Sequence, residues 1–468
     1  MAGPYDPHIR SKKAAMKSVV MDISRLIERA HCPTPTGIDR YELHYALWLN
    51  ERRKQAAPSN DIQLSQAPSF IETGYHGAIS VGAGRADSLI STLNDRWATT
   101  ELSSSQTALL EKIFAAIDGK ISWQPATAPK GIDAPSRKLR KLARMVTTHF
   151  SHGLPVPRDA SFMHVSHSRL ERTSAFSWLR ETGRNGIFYV HDLIPLSHPE
   201  FVRPEEPERH RRRMDTVLQH AALVLCNSQV TARALRTYAQ ESNRKLPSIA
   251  VLPPGVEQCF LKPPQDIERP QNPYFVTLGT IEPRKNHMLL LSLWQYLAER
   301  DGPKAPRLVI VGKRGWENSH ILAMLERCPA LPGLVIEVPG LEDAALARLV
   351  SGAAALLAPS FAEGYGMPIT EALALRTPVI ASNIASHREA AGIDEAIFLN
   401  PLDGLNWRAA VDAIAASPLR RTRASAANRW DMHFADLETL IESDVAARRY
   451  SAQRAPQRSP AMSFGALS

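Results

Sequence analysis

Arg284 and Lys285 stand side by side in TLGTIEPRKNH, directly after an apolar run that reads as a strand and at the start of a helical pattern. The first turn of a helix exposes free N–H groups and the positive end of its dipole, so it favours anions and disfavours cations. Two cations can simply decorate a helix start, and that is the simpler reading of the pair alone; their unfavourable position is a small argument for a bound anion. A guanidinium offers a planar fork and an ammonium a point charge, a pairing suited to pyrophosphate oxygens, and Gly279 shares the same turn. Further along, PSFAEGYGMPITEALALRTPVIAS sets Glu363 in a glycine-containing loop and Glu371 in the first turn of a helix that Pro368 is suited to open. Both carboxylates can face one cleft, one binding sugar hydroxyls and the other ribose hydroxyls. The backbone around Gly364, Tyr365, Gly366 and Met367 can meet a phosphate or sugar oxygen. An acid near a helix start is also stabilising in its own right, so Glu371 alone would carry no function.

In the N-terminal half, FYVHDLIP places His191 and Asp192 at the carboxyl end of a strand, where side chains reach a cleft. PTGIDRYE, with Gly37 and Arg40, follows the first strand. Other motifs are incomplete. GAGRAD from Gly82 lacks the third glycine of a dinucleotide fingerprint, no phosphate-binding G-x-x-x-x-G-K-[ST] or G-x-S-x-G occurs, and SHS at Ser166 is too generic for a triad. No Asp-x-Asp pair suited to a metal is found, so no metal or other cofactor is expected and Arg284, Lys285 and helix dipoles are left to neutralise leaving-group charge.

The elements that must position these residues alternate between strand and helix. SVVMDISRLI reads as a buried strand, TGIDRYELHYALWLNERR as a helix, SFMHVSH, GIFYVHDLIP and ALVLCNS as strands, and ERHRRRMDTVLQHA as a helix. QTALLEKIFAAI is a further helix in a stretch whose strands are not evident. Proline after proline in VLPPGVEQCFLKPPQDIERPQNP marks a linker, after which YFVTLGTI, PRLVIVG, LVIEVPG, ALLAPS and PVIAS alternate with four helices. The expected organisation is a leader at 1–17, a Rossmann-like N-terminal domain at 18–252, a linker at 253–273, a second Rossmann-like domain at 274–449 and a disordered tail at 450–468. Two such α/β units put the carboxyl ends of both sheets across a cleft.

At 468 residues, 44% hydrophobic and 22% charged, the chain has room for two cores and is neither fibrous nor mostly disordered. The four cysteines lie far apart without a C-x-x-C pair, which argues against a disulfide framework or structural zinc and fits a reducing compartment. No signal-peptide core and no run of roughly 20 apolar residues is seen, so a cytoplasmic protein is expected. The net charge of +9 suits anionic partners. Basic residues in RKLRKLARM (Arg137 to Met145) and RHRRRM (Arg209 to Met214) fit either a solvated helix face or peripheral contact with an anionic membrane on its inner face.

Together, PRKN and EGYGMPITEALALRTPVIAS, with Glu363 and Glu371 in an E-x7-E arrangement, resemble the retaining GT-B glycosyltransferases of family 4 over most of Tyr274 to Leu440. The resemblance implies two Rossmann-like domains facing each other across a cleft. It implies that Arg284 and Lys285 hold a donor diphosphate, Glu371 the ribose and Glu363 the transferred sugar. His191 would stand beside that sugar, and Gly37, Arg40 and Asp192 would line the acceptor side. Glu363, His191, Arg284 and Lys285 are accordingly the expected catalytic set, with no metal. Family members bring the chain back across the cleft, and NRWDMHFADLETLIESDVAARR with Trp430 is the candidate. HDLIP and EPRKN resemble bacterial mannosyltransferases of polysaccharide assembly, which favours GDP-mannose, while a UDP-hexose or deoxysugar nucleotide stays open. The expected partners are a nucleotide sugar and a glycan or lipid-linked acceptor, without nucleic acid. A sugar-nucleotide epimerase of the same fold and a non-catalytic nucleotide-sugar-binding protein are the alternatives.

Overall fold

The computed structural model describes residues 19–56, 69–75, 77–98, 101–123, 160–182, 186–262, 270–392, 395–417 and 428–454. The expected leader, the basic stretch from Arg137 to Met145 and the tail beyond residue 454 lie outside them.

Short runs of β-branched and aliphatic residues, buried on both faces, form two sheets. The first contains β1 (Val19–Asp22), β2 (Phe70–Thr73), β3 (Ala78–Ser80), β4 (Ser161–His164), β5 (Gly186–Val190), β6 (Ala221–Cys226) and β7 (Ser248–Val251). Its order is β3-β2-β1-β4-β5-β6-β7, parallel except where β3 pairs antiparallel with β2. The second contains β8 (Tyr274–Leu278), β9 (Arg307–Val311), β10 (Val335–Val338), β11 (Ala355–Ala358), β12 (Val379–Ser382) and β13 (Ile397–Leu399), in the order β10-β9-β8-β11-β12-β13 and parallel throughout.

The principal helices of the first half are α1 (Gly37–Ala56), α2 (Ala83–Trp97), α3 (Ser104–Ile117), α4 (Glu206–His220) and α5 (Gln229–Glu241). Those that follow are α6 (His287–Asp301), α7 (Ser319–Arg327), α8 (Asp343–Gly352), α9 (Met367–Ala374), α10 (Ala385–Ala391), α11 (Gly404–Ala416) and α12 (Trp430–Arg454). This is the GT-B architecture.

Three placements differ from the sequence reading. QTALLEKIFAAI, within the range expected for the N-terminal domain, forms α3 but buries Leu110, Ile113 and Ile117 with Val309, Ile336 and Leu349 of the second half. Gln106 Oε1 accepts from the Glu342 N–H at 3.3 Å, and Trp123 Nε1 donates to the Glu337 carbonyl of β10 at 3.0 Å. An amphipathic helix shows that it covers a sheet, not which one. Residues 450–454, expected to begin the disordered tail, extend α12, since each added residue of an established helix gains a hydrogen bond at little cost. The arginines of RHRRRM do not form an uncompensated basic face: Arg209 and Arg213 pair with Glu171 and Glu206, and Arg211 and Arg212 with Glu208. Among the described residues no helix is long and apolar enough to cross a membrane.

In each sheet the strand order reverses beside its first strand, between β1 and β4 and between β8 and β11. Ligands of open α/β sheets bind outside the carboxyl ends of strands at such switch points. In the second half these are the loops after β8 and β11, which carry PRKN and the Glu363 segment.

Candidate active site

Gly279 leaves β8 with φ +123°, a conformation open to glycine, and a Cβ there would come within 3.0 Å of Lys285 Cε. Asn286 adopts the left-handed conformation at φ 55°, and its amide donates to the carbonyls of Pro359 (3.2 Å) and Pro401 (2.9 Å). The PRKN turn is thereby fixed to the loop after β11. Arg284 donates to the Ala362 carbonyl at 3.1 Å and to Glu363 Oε2 at 2.6 Å, and also pairs with Glu282 at 2.6 Å. Lys285 Nζ lies 2.5 Å from Glu363 Oε1, which also accepts from Ser360 Oγ at 2.9 Å. Burial opposes ionisation of Glu363, but Arg284, Lys285 and His387 outweigh it and hold the carboxyl well below the usual range. Two cations thus converge on one carboxylate at the switch point.

Across the cleft, His191 leaves β5 and is buried. Its Nε2–H donates to the Val165 carbonyl at 2.7 Å, and burial lowers its pKa to about 4, so the ring is neutral at pH 7. The His191 carbonyl accepts from Asn227 Nδ2 at 2.8 Å. A Cβ on Gly364 would lie 2.2 Å from that carbonyl and 3.1 Å from Asp192 Cβ, so only glycine lets the Glu363 loop approach β5 this closely. Ser228 Oγ holds the loop there by donating to the Gly364 carbonyl at 2.6 Å. Asp192 Oδ1 accepts from the Ile194 N–H at 3.0 Å, and its charge reaches Arg284. Tyr365 is buried, its phenol pushed up to about 12 by burial, and Gly366, at φ +118°, packs against His387 ahead of Met367 at the start of α9.

Arg40 differs most from its expected role. Expected on the acceptor side, it extends its guanidinium from the first half to the second, bonding Glu371 Oε1 at 3.0 Å and Asp343 Oδ1. Burial works against the cation, but Asp343, Glu371 and Glu257 keep Arg40 charged. Burial, reinforced by Asp343 and Glu257, pushes Glu371 up to about 8 despite Arg40. Gly37 meets the second half too, since a Cβ on it would lie 2.3 Å from Met367 Cε.

Several neighbours carry no motif. His167 packs edge-on to His191 with ring centroids 5.3 Å apart, and its Nε2 accepts from the His191 N–H at 3.3 Å. SHS is therefore part of this wall, although no serine nucleophile arrangement is formed. Glu389 of α10 caps α5 across the cleft, accepting from the N–H groups of Gln229 (2.6 Å) and Val230 (3.3 Å). Trp430, at the start of α12, stacks on His44 at 4.1 Å and donates to Glu257 at 3.2 Å. A cavity of about 320 Å³ lies there, lined among others by His44, Glu257, Cys259, Asp343 and Trp430. Beside Glu363, Lys285 and His387 the free space is about 10 Å³, at the lower limit for one water molecule.

Residues 262–428 match the family described as glycosyl transferases group 1. The chain carries a glycosyltransferase group 1 domain. It is 27% identical over 243 residues to the serotype-specific mannosyltransferase WbdA of Escherichia coli, covering 48% of this chain and 29% of that protein. It is 30% identical over 236 residues to the O-antigen chain mannosyltransferase B of Escherichia coli, covering 49% and 59% respectively. The chain thus spans less than two thirds of either relative. HepE of Anabaena, solved in complex with UDP and glucose, superposes with a TM-score of 0.54 at 13% identity, covering 93% of this chain and 100% of that one. At that identity the likeness establishes the fold. Arg284, Lys285, Glu363 and Glu371 all lie within the group 1 domain, whereas His191 and Arg40 lie outside the matched range.

Proposed function

We propose that the protein is a retaining family 4 glycosyltransferase that moves a hexose, with mannose from GDP-mannose the first choice, to a glycan or lipid-linked acceptor in bacterial polysaccharide assembly. The convergence of Arg284 and Lys285 on Glu363 at the switch point, facing His191 and Asp192, carries this reading. A donor diphosphate would take over the two cations now paired with Glu363, freeing that carboxylate for the transferred sugar. The acceptor oxygen forms its bond to the anomeric carbon on the face from which the phosphate departs. The carbon–oxygen bond to the diphosphate breaks with its electron pair going to phosphate, which also receives the acceptor proton. Arg284 and Lys285 stabilise the charge that develops, the kind of term that dominates many enzymatic accelerations. His191, neutral and fixed through Val165, orients the sugar.

The mannosyltransferase relatives support the choice of sugar. A lipid-borne acceptor would bring the protein to the inner face of the cytoplasmic membrane.

The test supplies the full chain with GDP-mannose, GDP-fucose or UDP-glucose and a lipid-linked mannoside. Nucleoside diphosphate should be released only when acceptor is present, and NMR of the product should show the donor's anomeric configuration. Release without acceptor, or an inverted product, overturns the reading. Turnover should persist in excess EDTA because Arg284 and Lys285 supply the positive charge; abolition with rescue by Mn²⁺ would refute that division of labour.

A further inference from the structure

Arg40 belongs to the first turn of α1, yet its guanidinium ends on two acids of the other half, Asp343 at the start of α8 and Glu371 in α9. Each acid takes one terminal nitrogen, so the guanidinium is divided between two carboxylates instead of forming a fork on one. Its Nε is buried without a partner, leaving the cation incompletely satisfied where it sits. Gly37, three residues earlier, lies against the tip of the Met367 side chain of the other half, and the long Arg40 side chain spans from there to the two acids. A cation shared in this way can surrender one acid and remain at the interface on the other. The acid it holds at 3.0 Å, Glu371, is the one expected to receive ribose hydroxyls, and it is buried at 5% exposure.

We propose that Arg40 is an exchangeable clamp: from the first half it holds both Glu371 and Asp343 of the second, and the ribose of an entering nucleotide takes Glu371 from it while Arg40 stays on Asp343. This rests on the donor-site reading above. Arg40 is then a positioning residue whose pairing lowers apparent nucleotide affinity, as any competing closed arrangement must.

Calorimetric titration of the full chain with GDP, UDP and inorganic pyrophosphate tests this in wild type, Arg40→Gln and Arg40→Lys. In Arg40→Gln the affinity for the nucleoside diphosphate that wild type binds should rise about threefold or more, while pyrophosphate affinity stays unchanged because it has no ribose. The 2′,3′-dideoxy form of that nucleotide should show no gain. Arg40→Lys, which keeps a cation able to reach one acid at a time, should fall between and carries the test if Arg40→Gln fails to fold by circular dichroism. Unchanged or weakened nucleotide binding in a folded variant overturns the clamp, as does an equal gain for pyrophosphate. If neither GDP nor UDP binds wild type, the donor-site reading fails and the clamp falls with it.

Discussion

Glu363 is held by Arg284, Lys285 and Ser360 together, so its carboxylate is kept ionised and is the one whose partners a diphosphate would claim. Lys285→Ala removes the point charge but leaves Glu363 two donors, and the fold should survive. Turnover should fall by about 10²-fold or more, the scale typical of losing one electrostatic contact to the transition state. Glu363→Gln should cost a similar factor. Steady-state kinetics on both variants, with circular dichroism as a folding control, checks this; near-normal rates in both would dismiss the assignment. At this scale the sequence was informative where chemistry is local. Arg284, Lys285, Glu363 and Glu371 stand in two contiguous segments whose spacing announces them. Arg40 could be noticed but not placed, because its partners Asp343 and Glu371 are 303 and 331 positions away. His167 was passed over because an isolated S-H-S has no intrinsic meaning until β4 and β5 lie side by side.

Among the elements, α12 has the most consequential contacts. It buries Leu437 and Ile441 with the core of the first half, stacks Phe434 on Trp48 at 5.4 Å, and passes Trp430 over Gly255 of the joining segment. A Cβ at Gly255 would lie 2.4 Å from the Trp430 backbone nitrogen, too close for any side-chain rotation to relieve. Gly255→Ala should therefore displace the start of α12 and destabilise the protein by about 1–3 kcal/mol, the usual cost of overpacking. Urea unfolding followed by tryptophan fluorescence would measure it, and an unchanged midpoint would show that α12 yields freely. The long buried strands β8 and β9 and helix α6 were legible because their patterns are strong. β3 and β13 span three residues each, too few for alternation to register.

For the whole molecule, the distribution of histidines sets its response to acid. Burial lowers the pKa of His164, His167, His191, His210, His220, His287, His387 and His433, with His191, His287, His387 and His433 at about 4. Between about pH 4 and 6.5 the unfolded chain binds more protons on these rings than the folded one, so stability rises with pH across that window and falls as the solution is acidified. Glu42, Glu282, Asp343 and Glu371, all raised chiefly by burial and the first and last of them to about 8, act in the opposite sense but are four groups against eight. The melting midpoint should thus drop by several degrees or more from pH 6.5 to pH 4.5. Scanning calorimetry across that range checks it, and a flat profile would mean the rings are hydrated.

The path of the chain has one more consequence. The first half contributes α3 to the second sheet, and the end of the chain contributes α12 to the first. Cutting at the joining segment near residue 262 and grafting the following half from a relative with another donor preference would leave α3 of this chain against foreign β10 and α8. The graft would also lay a foreign α12 against Tyr45 and Trp48. A chimera that respects the cores must carry α3 with the second sheet and keep α12 with the first. Exchange of whole halves at the joining segment would therefore break both cores at once.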